Sequence, residues 1–159
     1  MSLILECHIY HILMRLINKD NIEIVDVFIR LYGELIEEIA PHYKGDIVFK
    51  NLPADENEYH DIMGRVGNVI YHSEVEVGKI GLSDTEVLAA LAHEIGHIVY
   101  NTRGWQQDQE ERADSFAAEL GLGSQMISAI EKIISSRRYH KLTSLLVGRI
   151  HFLQNMIRV

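Results

Sequence analysis

The sequence His93-Glu94-Ile95-Gly96-His97 sets two imidazoles four residues apart, with a carboxylate next to the first. In a helix, positions i and i+4 share one face about one turn apart. Two rings so placed can bind a single metal ion. Glu94 lies about 100° round the helix axis from His93. It flanks the metal without having to bind it, where a general base must stand to take a proton from water. The opposite face carries Leu88, Leu91, Ile95, Ile98 and Val99. One face of this helix suits a core and the other suits chemistry. The plainer alternative is a pair of ordinary histidines on an ordinary helix.

A catalytic metal needs a third protein ligand and one open position. The stretch Glu110-Glu-Arg-Ala-Asp114 offers it. Glu110 and Asp114 again stand at i and i+4, while Ala113, Phe116, Ala117 and Leu120 form an apolar face that can pack on the first helix. A tight turn at Arg103-Gly104 would lay the two helices antiparallel. Glu110 then completes a His-His-Glu set, and Asp114 accepts the outer N–H of a ligand imidazole. Glu111 is the rival ligand, but it points elsewhere if Asp114 shares the ligand face. Glu94-Ile-Gly-His97 also fits one half of a di-iron site, but that site needs a second E-x-x-H, and the sequence has none.

Together these motifs resemble those of the gluzincin metallopeptidases. The nearest groups are the CAAX-protease and heat-shock HtpX type and the ImmA/IrrE type. Asn68-Val-Ile-Tyr71, Leu82 to Ala92 and Leu120 to Lys132 are similar to the segments around the same motifs, so the likeness spans about residues 66–135. It implies a single zincin-like α+β domain over residues 1–159, with N-terminal helices in 1–42, a catalytic core in 45–123 and C-terminal helices in 124–159. It implies Zn2+ on His93, His97 and Glu110, Glu94 as base and Asp114 in support. It implies a peptide or protein substrate, lying extended beside the strand that holds Asn68 and Ile70. It implies His140 as a transition-state stabiliser, through the loose match of Tyr139-His-Lys-Leu-Thr143 and Arg149-Ile150 to a downstream motif. His72, Tyr71 and Tyr139 are weaker candidates for that work. Transmembrane helices and the long spacer of the membrane members are missing. Two other readings remain: a regulatory protease cutting one partner, and a latent zinc protein whose terminal segments cover its own site.

The elements that must position these groups follow from periodicity. Leu3 to Ile17 and Ile22 to Ala40 are apolar-periodic, and Pro41 stops the second. Asp46 to Lys50 and Asn68 to His72 read as strands, and Glu74 to Lys79 as a third. Leu52 to Gly67 reads as loop. Ser83-Asp-Thr-Glu86 is a capping box that starts the motif helix, which runs to about Tyr100. The Glu110 helix spans about 106–120, and two more span about 124–136 and 141–157. A small mixed sheet packed on the two motif helices is the expected architecture.

Composition narrows the class. Apolar residues at 47% and charged residues at 24% suit a globular domain. The lone Cys7 excludes an internal disulfide and a cysteine-based zinc site, and it fits a cytoplasmic setting. Leu3 to Ile17 is too short and too polar for a bilayer span. Net charge is −8, without a basic stripe for nucleic acid. Beyond Glu131 the only charged side chains are Lys132, Arg137, Arg138, Lys141, Arg149 and Arg158. That basic tail is either a solvated face or a surface for acidic groups, including the chain's own.

Overall fold

A computed structural model describes residues 14–53 and 61–158. Within them the chain is α+β, with six helices and a four-stranded mixed sheet. The strands are β1 (Arg15–Asn18), β2 (Asp46–Asn51), β3 (Met63–Val66) and β4 (Val69–His72), in the order β1-β2-β4-β3. β1, β2 and β4 run parallel, and β3 runs antiparallel to β4. A parallel pair needs a crossover connection, and α1 (Glu23–Ile39) makes it between β1 and β2. β3 and β4 meet through a two-residue turn, where Gly67 takes φ 59, the left-handed backbone that tight hairpins require.

The remaining helices are α2 (Glu74–Ile80), α3 (Asp84–Val99), α4 (Gln107–Glu119), α5 (Gly123–Ser135) and α6 (Thr143–Ile157). A 3-10 turn at His140–Leu142 precedes α6. The core lies between the sheet and the helices. Phe28 of α1 meets Phe49 of β2 at 6.4 Å between ring centroids, and Ile70, Leu91 and Ile95 are fully buried. Each such side chain contributes about 1.5–3 kcal/mol by leaving water. No helix among the described residues is long and apolar enough to cross a membrane.

Three expectations are corrected. The segment Glu74 to Lys79 is helix α2, not a strand. Its Val75 and Val77 alternate with acidic residues, but Ser73 Oγ accepts the Glu76 N–H at 3.3 Å and Glu74 and Glu76 occupy the first turn. The cap and the helix dipole outweigh so short an alternation. Leu52 to Gly67 is not all loop, because β3 forms there on the edge of β4; residues 54–60 lie outside the described residues. Arg15–Asn18 is strand β1, held in register by pairing with β2, although Arg15 to Ile17 were expected to end a helix. The rest of that first segment, up to residue 13, lies outside the described residues.

Candidate metal centre

Helix α3 starts at the expected capping box, with both reciprocal bonds made between Ser83 and Glu86. It then packs tightly on α4 through Gly96. A Cβ built there would stand 2.7 Å from the Ala113 carbonyl oxygen and 2.9 Å from Phe116 Cβ. Only glycine allows the two backbones this close. That approach brings the histidines of α3 within reach of the carboxylates of α4.

His93, His97 and Glu110 converge there, all three buried, with ligand atoms within 4.8 Å of one another. His93 Nε2 stands 3.1 Å from His97 Nε2 and 3.1 Å from Glu110 Oε2, and His97 Nε2 stands 3.6 Å from Glu110 Oε2. The outer nitrogens are spoken for. His93 Nδ1 donates to Asp114 Oδ1 at 2.7 Å, and His97 Nδ1 is hydrogen-bonded to the Thr102 hydroxyl at 2.8 Å. With each Nδ1 turned outward, each ring presents its Nε2 toward Glu110. Glu110 is itself held from behind, since Oε1 accepts the Trp105 N–H at 2.6 Å. This group can hold a metal ion.

One side chain from the far end of the chain completes the centre. Arg149 of α6 is buried and grips Asp114 with both arms of its guanidinium, Nε to Oδ2 and Nη2 to Oδ1, each at 2.8 Å. Its Nη1 lies 3.4 Å from Glu110 Oε2. Such a planar fork fits a carboxylate in a way lysine cannot. Burial raises the carboxyls of Glu110 and Asp114, but the histidines and Arg149 outweigh it, and both titrate below the usual range. At His93, burial and Arg149 oppose a proton while Asp114 and Glu110 favour it; the balance puts its pKa up at about 9. A metal ion would displace that proton. Burial pushes the Glu94 carboxyl up, although His93 and His97 pull against the shift.

The centre forms the floor of a cleft of about 320 Å³. Glu94 lines it, as do Met63 and Arg65 of β3, Trp105 of the α3–α4 turn and Tyr139 of the α5–α6 turn. Arg65 Nη2 donates to the Thr102 carbonyl at 2.9 Å, fastening the edge strand to the turn that holds His97. Trp105 has φ 66, an uncommon backbone for so bulky a residue. Strain of this kind gathers at functional sites.

The other expected residues lie elsewhere. His140 is exposed and does not line the cleft, whereas its neighbour Tyr139 does. Ile70 is fully buried in β4, and Asn68 Nδ2 donates to the Asp46 carbonyl at 2.7 Å. β4 is paired on both sides by β2 and β3, so no peptide can add there. His72 is buried among the residues of a different cavity, and Tyr71 does not line the cleft. Arg149 and Thr102 were not foreseen as parts of the site. The signal for Arg149 was the loose match of Arg149-Ile150 to the downstream motif, which was read for His140 instead.

The basic tail is partly absorbed by the acidic body. Lys132 pairs with Glu86, Arg138 with Glu76, and Arg149 with Asp114 and Glu110.

Compared with family models, curated proteins and solved structures, the chain matches none.

Proposed function

We propose that the protein is a zinc-dependent metallopeptidase of the gluzincin type, built on a small zincin-like fold. The observation that carries this reading is the convergence of His93, His97 and Glu110 with Glu94 in the same cleft. Zinc bonds to nitrogen and carboxylate oxygen of about 2.0–2.2 Å put tetrahedral ligands about 3.3–3.6 Å apart. The observed separations of 3.1 to 3.6 Å accept that geometry with small shifts. The donor set, two imidazoles and one carboxylate with no thiolate, is one that catalytic zinc uses.

Bound zinc would polarise a peptide carbonyl and acidify water. The protein's groups do the rest. Glu94 accepts the proton of the attacking water and delivers it to the departing amine. Burial, which lifts its pKa from the usual carboxylate value, makes both transfers easier at neutral pH. Asp114 and Thr102 fix the tautomers and tilt of the imidazoles. The substrate chain lies along β3, whose outer edge has no strand partner among the described residues. His140 takes no part in this scheme.

Elemental analysis of the protein after zinc loading should give about one zinc per chain. Glu94→Gln should keep that zinc and lose about 10²–10⁴-fold in peptide hydrolysis. A variant that cleaves as fast as the parent would remove Glu94 from the reaction.

A further inference from the structure

A second cavity, of about 590 Å³, opens where the parallel strands β2 and β4 end, at Asn51 and His72. It shares no lining residue with the metal cleft. In open sheets with helical crossovers, ligands gather at the carboxyl ends of parallel strands. The apolar part of this cavity is made by Ile22 and Val87, which are buried, and Val27 and Val77, which are half-buried. His72 lies among them, 5% exposed, and its Nδ1 is buried with no hydrogen-bond partner among the described residues. A buried polar nitrogen left unpaired is costly, so each one in a native fold asks for a partner. Burial lowers the His72 pKa, although Glu74 pulls the other way, and the ring is neutral at neutral pH. The rim is acidic. Glu23, Glu74 and Asp84 are exposed there, and no lysine or arginine lines the cavity among the described residues. These three carboxylates stand in the first turns of α1, α2 and α3, so each helix end that would otherwise draw an anion carries its own.

We propose that this cavity binds a small organic cation, an amine with an apolar body and a hydroxyl at its other end. The hydroxyl pairs with Nδ1 of His72. Because a hydroxyl both donates and accepts, it serves either tautomer of a neutral ring. The apolar body leaves water against Ile22, Val27, Val77 and Val87. The ammonium stays at the rim among Glu23, Glu74 and Asp84, where it keeps part of its hydration and meets only opposite charge. An anion of the same shape would meet only like charge there. The volume falls within the range of small-molecule pockets, about 300–1,000 Å³. The site is independent of the metal centre and of the peptidase reading.

Tyramine has this pattern, phenethylamine lacks its hydroxyl, and 4-hydroxyphenylacetate carries a carboxylate in place of its ammonium. Each is titrated by calorimetry into the intact, zinc-loaded chain. Tyramine should bind at about one per chain, and phenethylamine about three- to tenfold more weakly. The anion 4-hydroxyphenylacetate should not bind measurably. In His72→Phe the affinities for tyramine and phenethylamine should agree within about twofold. In Glu74→Gln tyramine should weaken by about two- to fivefold, while its advantage over phenethylamine persists. Zinc content should be unchanged in both variants. Absence of tyramine binding, equal binding of tyramine and phenethylamine by the parent, or binding of the anion as tight as that of tyramine overturns the proposal. Unchanged tyramine affinity in both variants overturns it too, since the amine would then sit elsewhere. Should His72→Phe fail to fold, the parent series and Glu74→Gln decide alone.

Discussion

Glu86 and Glu110 are buried carboxylates on neighbouring helices, 5% and 4% exposed, and their surroundings differ in kind. Every partner of Glu86 is a donor. Oε2 accepts the Ser83 N–H at 2.9 Å and Lys132 Nζ at 2.8 Å, and Oε1 accepts the Ser128 hydroxyl at 2.6 Å. The group is saturated, and it ties the start of α3 to α5. Glu110 takes the Trp105 N–H on Oε1 and has the Arg149 guanidinium at 3.4 Å from Oε2. Its Oε2 also faces the Nε2 atoms of two imidazoles, whose Nδ1 atoms bond Asp114 and Thr102. A proton on His93 joins its Nε2 to Glu110 here, and a bound metal cation would take that proton's place. Burial alone does not mark a functional carboxylate; the character of what faces it does.

The contrast can be broken by exchange of losses. Glu110→Ala should take bound zinc from about one per chain to near none by elemental analysis, while Glu86→Ala keeps it. Equal zinc in both would erase the distinction. Next, Arg149→Met should cost about 3–5 kcal/mol in urea unfolding, because Asp114 would stay buried without its cation. Lys132→Met should cost less than Arg149→Met, because Glu86 is buried too but keeps the Ser83 N–H and the Ser128 hydroxyl. Asp114→Asn should lower zinc affinity by about 10–100-fold in a chelator competition, through the lost grip on His93.

The smallest effect concerns acid. Burial raises Glu86, but the Lys132 and Ser128 hydrogen bonds prevail, and its pKa falls below the ordinary 4.5. A carboxyl lower in the folded state stabilises above its unfolded pKa, and that contribution is lost as pH falls through the folded pKa. Thermal unfolding from pH 7 down to about 3 should therefore show a shallower decline for Glu86→Gln than for the parent. An unchanged slope would mean that Glu86 titrates alike in both states.

What the sequence disclosed follows the range of the interactions. The His93, Glu94 and His97 pattern and the Ser83 box are set by neighbours within one or two turns, and both were legible. Helix α2 was legible too, had the rule used at Ser83-x-x-Glu86 been applied at Ser73-x-x-Glu76. The alternation of Val75 and Val77 hid it. β1 and β3 are four residues each and owe their state to the strands beside them, which no local pattern records. His140 was chosen over Tyr139 on motif likeness. The 3-10 turn leaves the histidine in solvent and the tyrosine on the cleft. Arg149 stood in the downstream motif, but its role with Asp114 and Glu110 was not legible because those partners are remote in sequence.

That remoteness has a consequence in time. Asp114 and Arg149 are 35 residues apart, and His93 and Arg149 are 56 apart. While the chain emerges from the ribosome, α3 and α4 exist before the cation that neutralises their buried acids. Their docking is then opposed by uncompensated charge, and loop closure by α6 must come first or together with it. The metal-binding group and α6 should therefore assemble as one event, and a chain cut before α6 should carry the motif without the site.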